Sequence, residues 1–83
     1  MRVTVLFFGV LKEEFGGESE EMELPEGSTV GDLLQRYAAR AASRPKLLQS
    51  LAVAVNREYA GVADILQQGD EVALLPPVSG GAR

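Results

Sequence analysis

One stretch of the sequence, STVGDLLQRYAARAAS at residues 28–43, constrains the fold most strongly, because it is the clearest helix in the chain. Thr29 is a suitable N-cap, and Asp32 three residues later is suited to complete a capping box. Pro45 is predicted to end the helix, with one further turn at residues 46–50. The predicted buried stripe consists of Val30, Leu33, Leu34, Tyr37, Ala38 and Ala41. The opposite side is predicted to carry Arg36, Arg40 and Arg44.

Strands are predicted on both sides of this helix, most of them from apolar segments rich in β-branched residues and the second from a loose alternation of apolar and acidic residues. In the second of them, Met22 and Leu24 are expected to point inward and the glutamates outward. The first two strands lie close together in the sequence and are predicted to form an antiparallel hairpin. The predicted strands are RVTVLFF at residues 2–8, ESEEMELP at 18–25, LAVAVN at 51–56 and EVALLPP at 71–77.

The connections between these elements carry weaker signals. GVLKEEFGG at residues 9–17 is predicted to contain a turn of helix that ends at Gly16 and Gly17. REYAGVADILQQGD at residues 57–70 is predicted to contain a brief helical turn around residues 62–66, followed by a tight turn at 68–70. The predicted order is therefore β-β-α-β-β with a small helical insert before the last strand. This order corresponds to a two-layer α+β domain with one sheet packed on one helix.

Alternation along the strands places the bulky side chains on the sheet face toward the helix and leaves a second apolar face uncovered. A contiguous apolar patch on a small domain is usually an interface, so we expect a protein partner on this face. Closure of the face by loops of the chain is the alternative that the residues leave open. The residues of this second face are Leu6, Phe8, Ala52, Ala54, Ala73 and Leu75.

The residue types that are absent exclude several classes of chemistry. The chain of 83 residues contains no Cys and no His, which excludes thiol nucleophiles, thiolate metal sites and histidine acid–base catalysis. The net charge of −4 argues against nonspecific nucleic-acid binding, and no apolar run approaches the length of a membrane span. The N-terminus lacks the features of a signal peptide, so a cytoplasmic location is expected.

The charges are segregated along the chain. Glutamates crowd residues 13–26, and most of the cations follow in the middle of the sequence. Two solvated faces would explain this pattern, and so would a face that steers toward an oppositely charged partner. The middle cations are Arg36, Arg40, Arg44, Lys46 and Arg57.

The last eight residues, PPVSGGAR at 76–83, form an unusual tail. The two prolines are expected to end regular strand pairing and to stiffen the exit from the sheet. The glycines are narrow and pliable, so such a tail could thread a channel too tight for side chains. A carboxylate on a terminal glycine would be unhindered and open to adenylation. A disordered terminus without a function is the plainer alternative.

Three stretches of the chain resemble the small subunit of molybdopterin synthase, the MoaD family. They are VLFFGVLKE near the start, LAVAVN in the middle and GDEVALLPPVSGG near the end. Members of this family commonly have a VLFFA-type first strand, an AVN strand and a GDEVA ending that runs through two prolines to Gly-Gly. The resemblance implies a ubiquitin-like β-grasp fold at residues 1–77, with a mixed sheet packed on one main helix. It also implies a flexible tail at residues 78–83.

The resemblance further implies what the tail does. In this family a MoeB-like activating enzyme uses ATP to adenylate the terminal glycine carboxylate, here matched by Gly81, with Gly80 as its slender neighbour. The adenylate is converted to a thiocarboxylate, and the tail enters the active site of the MoaE-like large subunit. There the sulfur is delivered to a cyclic pyranopterin monophosphate, which builds the dithiolene of molybdopterin. The chain itself would bind no cofactor and would be a sulfur-donating subunit of a heterotetramer rather than a complete enzyme.

The same resemblance implies which residues contact the partner. The catalytic pocket would belong to the large subunit, and this chain would supply a docking face and the root of the tail. Alternation along the strands independently places Phe8 and Leu75 on the uncovered face. The implied partner-binding residues are Phe8, Tyr59, Leu75, Pro76, Pro77, Val78 and Ser79.

The sequence departs from the family pattern after Gly81, because Ala82 and Arg83 follow it. With both present, Gly81 has no free carboxylate to activate. A precursor that a protease trims is favoured slightly over a remnant of cloning. Carriers for thiamin synthesis or tRNA thiolation share the Gly-Gly end, and so do ubiquitin-like modifiers that form isopeptide bonds. A plain binding module with an inert tail is a further alternative.

Overall fold

The computed structural model describes residues 1–41 and 50–76, which form five strands and two helices. Within these residues, neither helix is long and apolar enough to cross a bilayer. The elements in chain order are β1 Arg2–Phe7, α1 Val10–Phe15, β2 Ser19–Glu23, α2 Val30–Arg40, β3 Ala52–Val55, β4 Glu58–Ala60 and β5 Glu71–Leu75.

The strands form one mixed sheet in the order β2-β1-β5-β3-β4. Strands β1 and β5 lie side by side in the centre and run parallel, with Val5 opposite Val72. All other neighbouring pairs are antiparallel, including the predicted hairpin of β1 and β2. The α+β prediction, with a mixed sheet packed on one main helix, is therefore confirmed.

Helix α2 begins where the sequence predicts. The Thr29 backbone N–H donates to Asp32 Oδ2 at 2.9 Å, and the Asp32 backbone N–H donates to Thr29 Oγ1 at 3.2 Å, which completes the capping box. The next two donors are satisfied by a neighbouring loop, because the N–H groups of Val30 and Gly31 bond to the carbonyls of Asp64 and Val62. The start of the helix is thus fully hydrogen-bonded to the chain itself.

The end of α2 and one residue of its stripe differ from the prediction. The helix ends at Arg40 with Ala41 as its C-cap. Its predicted continuation to Arg44 and Pro45, and most of the turn after it, fall outside the described residues. Ala38 is exposed rather than buried, because it lies at the margin of the apolar stripe. The other predicted stripe residues are buried or pack against the core.

Both helices pack on one side of the sheet, which we call the helix face. Leu11 of α1 and Leu33 of α2 are fully buried there among the inward side chains of the strands. Three rings close one end of this core: Phe15 lies 5.1 Å from Phe7 and 4.9 Å from Tyr37 between ring centroids, in tilted and edge-on arrangements. The predicted inward residues of the strands all belong to this core or pack against it: Val3, Val5, Phe7, Met22, Leu24, Leu51, Val53, Val55, Val72 and Leu74.

The connections hold one confirmed and one wrong prediction. Residues 10–15 do form a short helix, and Gly16 ends it in the left-handed region at φ 80°. Residues 62–66 do not form the predicted helical turn. Residues 62 and 63 form a turn closed by the hydrogen bond from the Asp64 N–H to the Gly61 carbonyl, Ile65 makes a single bridge with Thr29, and Leu66 is buried. Of the apolar side chains in this segment only Leu66 enters the core, whereas Val62 and Ile65 are exposed.

Strand β4 is not among the strands predicted from the sequence. A two-residue turn of Asn56 and Arg57 folds it back onto β3, so that Tyr59 lies opposite Ala54. The predicted order of four strands is wrong by this one strand. The tight turn before β5 is confirmed: Gly69 has φ 85°, and the Asp70 N–H bonds to the Gln67 carbonyl.

Candidate functional site

The candidate site is the side of the sheet opposite the helices, which we call the open face. The open face consists of Leu6, Phe8, Ala52, Ala54, Tyr59, Ala73 and Leu75. None of these side chains belongs to the core cluster on the helix face. The predicted second apolar face is therefore present in the fold, and no described element covers it.

Strand pairing sets these residues in two rows. The first row runs across four strands, because Ala54 lies opposite both Tyr59 and Ala73, and Ala73 lies opposite Leu6. In the second row Ala52 lies opposite Leu75. Three of these positions are alanines, which have no side chain beyond Cβ, so the centre of the face is shallow. Ala54 is only 9% exposed, whereas Ala52 is exposed, so a partner would reach the sheet most closely at the end of the face near Ala52.

Two aromatic side chains rise from this shallow surface. Phe8 is 42% exposed and Tyr59 is 81% exposed, although both are large and largely apolar. Aromatic side chains of this kind carry much of the binding energy at protein interfaces. Phe8 directly follows β1, whereas Tyr59 stands on the edge strand β4, so the two mark opposite sides of the face.

The open face becomes polar toward the other ends of the central strands. There Thr4 lies between Glu71 and Glu21, and Arg2 pairs with Glu21 and Glu23 at 3.5 and 3.3 Å. All of the ion-pair partners are more than half exposed, so these contacts contribute little to stability. The apolar part of the face therefore lies at the end where β5 leads into the tail.

The root of the tail lies against the start of α1. Gly9 has φ 59°, and a Cβ placed on it would lie 3.0 Å from Pro76 Cγ. Glycine thus suits this position for two reasons, its left-handed backbone and the close approach of the proline ring. Pro76 is half-buried and is the last residue of the second described range. Pro77, Val78, Ser79, Gly80 and Gly81 lie outside the described residues.

A polar cluster at the margin of the helix face corrects the prediction for Glu20. Glu20 points inward rather than outward, and its carboxylate accepts a hydrogen bond of 2.6 Å from the Tyr37 hydroxyl. It also accepts a hydrogen bond from Arg40. Arg40 is exposed, as predicted, but its guanidinium also lies 5.1 Å from the ring centroids of Phe15 and Tyr37.

The pKa values of this cluster follow from its contacts. Burial alone raises the pKa of Glu20, but the hydrogen bonds from Arg40 and Tyr37 outweigh it and hold the pKa below its ordinary value. Burial, and then the hydrogen bond to Glu20, raises the pKa of the Tyr37 hydroxyl far above its ordinary value. The cluster therefore keeps a charged Glu20 and a neutral Tyr37 at neutral pH. It joins β2, α2 and α1 and lies on the helix face, so we assign it to stability.

A shallow recess of about 520 Å³ is also part of the helix layer. It lies beside the first turns of α2, where the chain leaves β2, and both acidic and basic side chains border it, among them Glu26, Asp32 and Arg36. Neither the open face nor Pro76 contributes to its wall. We therefore do not assign this recess to the chemistry of the tail.

The open face collects three of the partner-binding residues that the sequence analysis names. Phe8 and Leu75 lie where strand alternation predicts. The assignment of Tyr59 to the partner-binding residues rests on family resemblance alone, because β4 is not predicted from the sequence. The pair Asn56-Arg57 is a weak turn signal because it lacks glycine, but this two-residue turn between Val55 and Glu58 puts Tyr59 on the same side as Ala54.

Comparison with known sequences gives a consistent picture. The model of the ThiS family matches residues 5–81. The molybdopterin synthase sulfur carrier subunit of Chlamydomonas reinhardtii is 35% identical over 98% of this chain and 100% of its own length. The protein of the same name from Mycobacterium tuberculosis is 34% identical over 98% of this chain and 99% of its own length.

Comparison with solved structures extends the likeness to the fold. A protein from Pyrococcus furiosus described as a candidate molybdopterin converting factor, subunit 1, superimposes with a TM-score of 0.82 at 30% identity, covering 94% of this chain and 99% of its own. SAMP1 from Haloferax volcanii superimposes with a TM-score of 0.82 at 29% identity, covering 98% and 100%. The complex of subunits 1 and 2 of the molybdopterin-converting factor from Helicobacter pylori contains a chain similar to this one, with a TM-score of 0.68 at 28% identity over 98% and 100%.

Proposed function

Because this chain belongs to the ThiS family, in its branch of molybdopterin synthase sulfur carrier subunits, we propose that it carries sulfur for the synthesis of molybdopterin. The observation that carries the proposal is the range of residues that the family model matches. This range, residues 5–81, includes the open face and ends at Gly81. A carrier of this kind needs a docking face and a slender end with a free carboxylate. The apolar open face and the root of the tail at Pro76 are suited to these tasks.

The proposed chemistry starts at Gly81 once its carboxylate is free. A MoeB-like activating enzyme joins that carboxylate to the adenylate of ATP and releases pyrophosphate. A sulfur donor then displaces AMP and leaves a thiocarboxylate at Gly81. The thiocarboxylate sulfur is a good nucleophile, which explains how a chain without Cys or His takes part in sulfur chemistry.

The transfer step needs a partner. We propose that a MoaE-like large subunit binds the open face through Phe8, Tyr59 and Leu75 and encloses residues 76–81. Its pocket holds the cyclic pyranopterin monophosphate and supplies the acid–base groups that this chain lacks. The sulfur passes to the pterin precursor, and hydrolysis of the acyl bond returns Gly81 to a carboxylate. The chain binds no cofactor in this scheme, and ATP is consumed only by the activating enzyme.

Ala82 and Arg83 must be removed before Gly81 can be activated. We propose that a protease cuts after Gly81. Intact mass spectrometry of the untagged protein from its native cells tests this step. The expected species ends at Gly81 and has one carboxyl oxygen replaced by sulfur. Only chains ending at Arg83, in cells that are making molybdopterin, would contradict both the trimming and the carrier role.

A pair of truncations tests the tail directly. One variant ends at Gly81, and its matched partner ends at Gly80, so the two differ by a single residue beyond the described fold. Only the first is expected to transfer sulfur in a synthase reconstituted with the large subunit, the activating enzyme, ATP and sulfide. Both are expected to melt at the same temperature, because the core and sheet are untouched. Equal molybdopterin formation by the two variants would exclude Gly81 as the sulfur-bearing residue.

A ubiquitin-like modifier is the second candidate function, and the similarity to the small archaeal modifier protein SAMP1 favours considering it. Both functions would start from the same activated glycine carboxylate. They differ in the nucleophile that receives the acyl group, since a modifier forms an isopeptide bond with a lysine. Denaturing gels of native cells separate the two: a modifier predicts a ladder of adducts that requires Gly81, and a carrier predicts only the free chain.

A further inference from the structure

Arg57 occupies a backbone conformation that arginine rarely adopts. The turn between β3 and β4 has two residues with positive φ, Asn56 at 52° and Arg57 at 73°. A two-residue turn of this kind matches the twist of a hairpin, and its second position strongly favours glycine. Arginine at that position brings a steric cost that glycine would avoid. Such outliers often persist where a side chain serves a function.

The turn is held in place, so the strained conformation is part of the fold. The Asn56 backbone N–H donates to the Glu71 carbonyl at 2.8 Å, and Asn56 Oδ1 accepts from the Glu71 N–H at 3.0 Å. Asn56 Nδ2 donates to Asp70 Oδ1 at 3.0 Å. These bonds tie the turn to the start of β5. Arg57 is therefore presented from a fixed backbone rather than from a loose loop.

The charge of Arg57 has no counterpart in the described residues. Arg40 is paired with Glu20 and Arg2 with two glutamates, whereas Arg57 is exposed and forms no ion pair with any described residue. It is also the only cation in residues 50–76. The strained backbone of Arg57 therefore holds an unpaired positive charge next to β4, the edge strand that carries Tyr59.

The place of Arg57 on the sheet suggests what it binds. Strand register puts the Asn56-Arg57 turn beside the start of β5, one row beyond the pair of Ala54 and Tyr59. The tail leaves from the other end of β5, beyond Leu75. An ionic contact at one end and an apolar contact at the other would fix both the position and the direction of a docked partner.

We propose that Arg57 is the charged end of the docking surface and pairs with a carboxylate of the large subunit. This inference rests on the proposed function, because it names a contact within that complex. It predicts that the backbone strain at Arg57 opposes folding, whereas its guanidinium favours docking. Stability and affinity should then change in opposite directions when glycine replaces Arg57.

Three substitutions separate the backbone from the charge. Arg57→Gly removes both the strain and the guanidinium, Arg57→Gln removes the charge and keeps the strain, and Arg57→Lys keeps both. Arg36→Gln is the matched control, since Arg36 is an exposed cation on α2 that also forms no ion pair with a described residue. It changes the net charge by the same amount on the opposite layer of the domain.

The experiment measures binding of the 83-residue chain, and of the form ending at Gly81, to the molybdopterin synthase large subunit of the same organism by calorimetry. Arg57→Gly is expected to raise the melting temperature by roughly 2–5 °C and to weaken binding about tenfold. Arg57→Gln should weaken binding similarly without the gain in melting temperature, and Arg57→Lys should retain most of the affinity. Added salt should weaken the wild type more than the two neutral variants.

The outcomes distinguish this inference from the proposed function. Affinity of Arg57→Gly and Arg57→Gln within twofold of wild type would overturn the assignment and leave Arg57 as a turn residue only. An equal loss in Arg36→Gln would also overturn it, because the effect would then reflect net charge. Failure of the wild-type chain to bind the large subunit in either form would overturn the proposed docking, and the role of Arg57 with it.

Discussion

On strand β5 the neighbours Leu74 and Leu75 point to opposite sides of the same sheet. Leu74 is fully buried on the helix face, under the side chains of both helices. Leu75 is half-buried on the open face, where no described element lies above it. The side chains are identical, and the strand is the same. What differs is that the chain supplies its own cover on one side and leaves the other side for a partner.

The comparison teaches how a small domain divides its apolar residues. The helix face carries large side chains that fill a core and stabilise the fold. The open face carries alanines at its centre and aromatic side chains at its margins, which makes it flat enough to receive another surface. The first pattern is typical of packing and the second of recognition.

The sharpest way to break this comparison is to place a charge on the buried side. Leu74→Glu would bury an unpaired carboxylate and is expected to cost at least about 5 kcal/mol, comparable with the whole stability of a small domain. Circular dichroism should show an unfolded chain at neutral pH. Leu74→Met is the matched control and should cost less than about 1.5 kcal/mol, because it conserves volume. A cooperatively folded Leu74→Glu variant would mean that the helix face is not the core.

The same charge one residue later should leave the fold intact. Leu75→Glu is expected to weaken binding to the large subunit at least about 100-fold, since it places a desolvated charge in the proposed interface. Its melting curve should stay cooperative, with a cost below about 1.5 kcal/mol. Phe8→Glu should behave in the same way. Unchanged affinity of both variants in calorimetry would show that the partner docks elsewhere.

The two tyrosines offer a smaller and finer test. Tyr37→Phe removes the hydroxyl that donates to Glu20 and is expected to lower the free energy of unfolding by about 1–2 kcal/mol at neutral pH. Tyr59→Phe is the matched change on the open face and should shift the value by less than about 0.5 kcal/mol, because Tyr59 is exposed. Equal effects in chemical denaturation would contradict the division between the faces.

The cost of Tyr37→Phe should also depend on pH. Glu20 has a lower pKa in the folded chain than its ordinary value of 4.5, so the unfolded chain binds its proton more readily. The stabilisation by the cluster is therefore present above about pH 4.5 and is lost as the pH falls through the folded pKa. The gap between wild type and Tyr37→Phe should narrow over that acidic range. A constant gap would mean that the hydroxyl acts through packing alone.

Much of this fold could be predicted from the sequence because several signals agreed. The capping box at Thr29 and Asp32, the alternation of β1 and β5, and the turn at Gly69 each have a local physical cause that acts in the same way in every fold. The alternation of side chains along a strand is enough to place Leu75 and Phe8 on the open face. These features needed no knowledge of which strands were neighbours.

The features that were missed depend on contacts between distant segments. Glu20 points inward only because Tyr37 and Arg40 of α2 lie there to bind its carboxylate. Strand β4 has three residues and follows a turn without glycine, so neither its length nor its turn gave a clear signal. Residues 62–66 have apolar spacing close to that of a helix, but they are held as a loop by hydrogen bonds to the start of α2.

The parallel pairing of β1 and β5 has a consequence for how the molecule forms. Thr4 lies beside Glu71, so the two central strands come from nearly opposite ends of the chain. Contacts between such distant residues form slowly, because the entropy cost of closing the long loop between them must be overcome before the contacts stabilise the fold. In a polypeptide that lacks β5, strands β1 and β3 would lose the strand that joins them in the sheet. Since the tail extends directly from β5, an activating enzyme that recognises the folded surface would meet Gly81 only on molecules whose folding is complete.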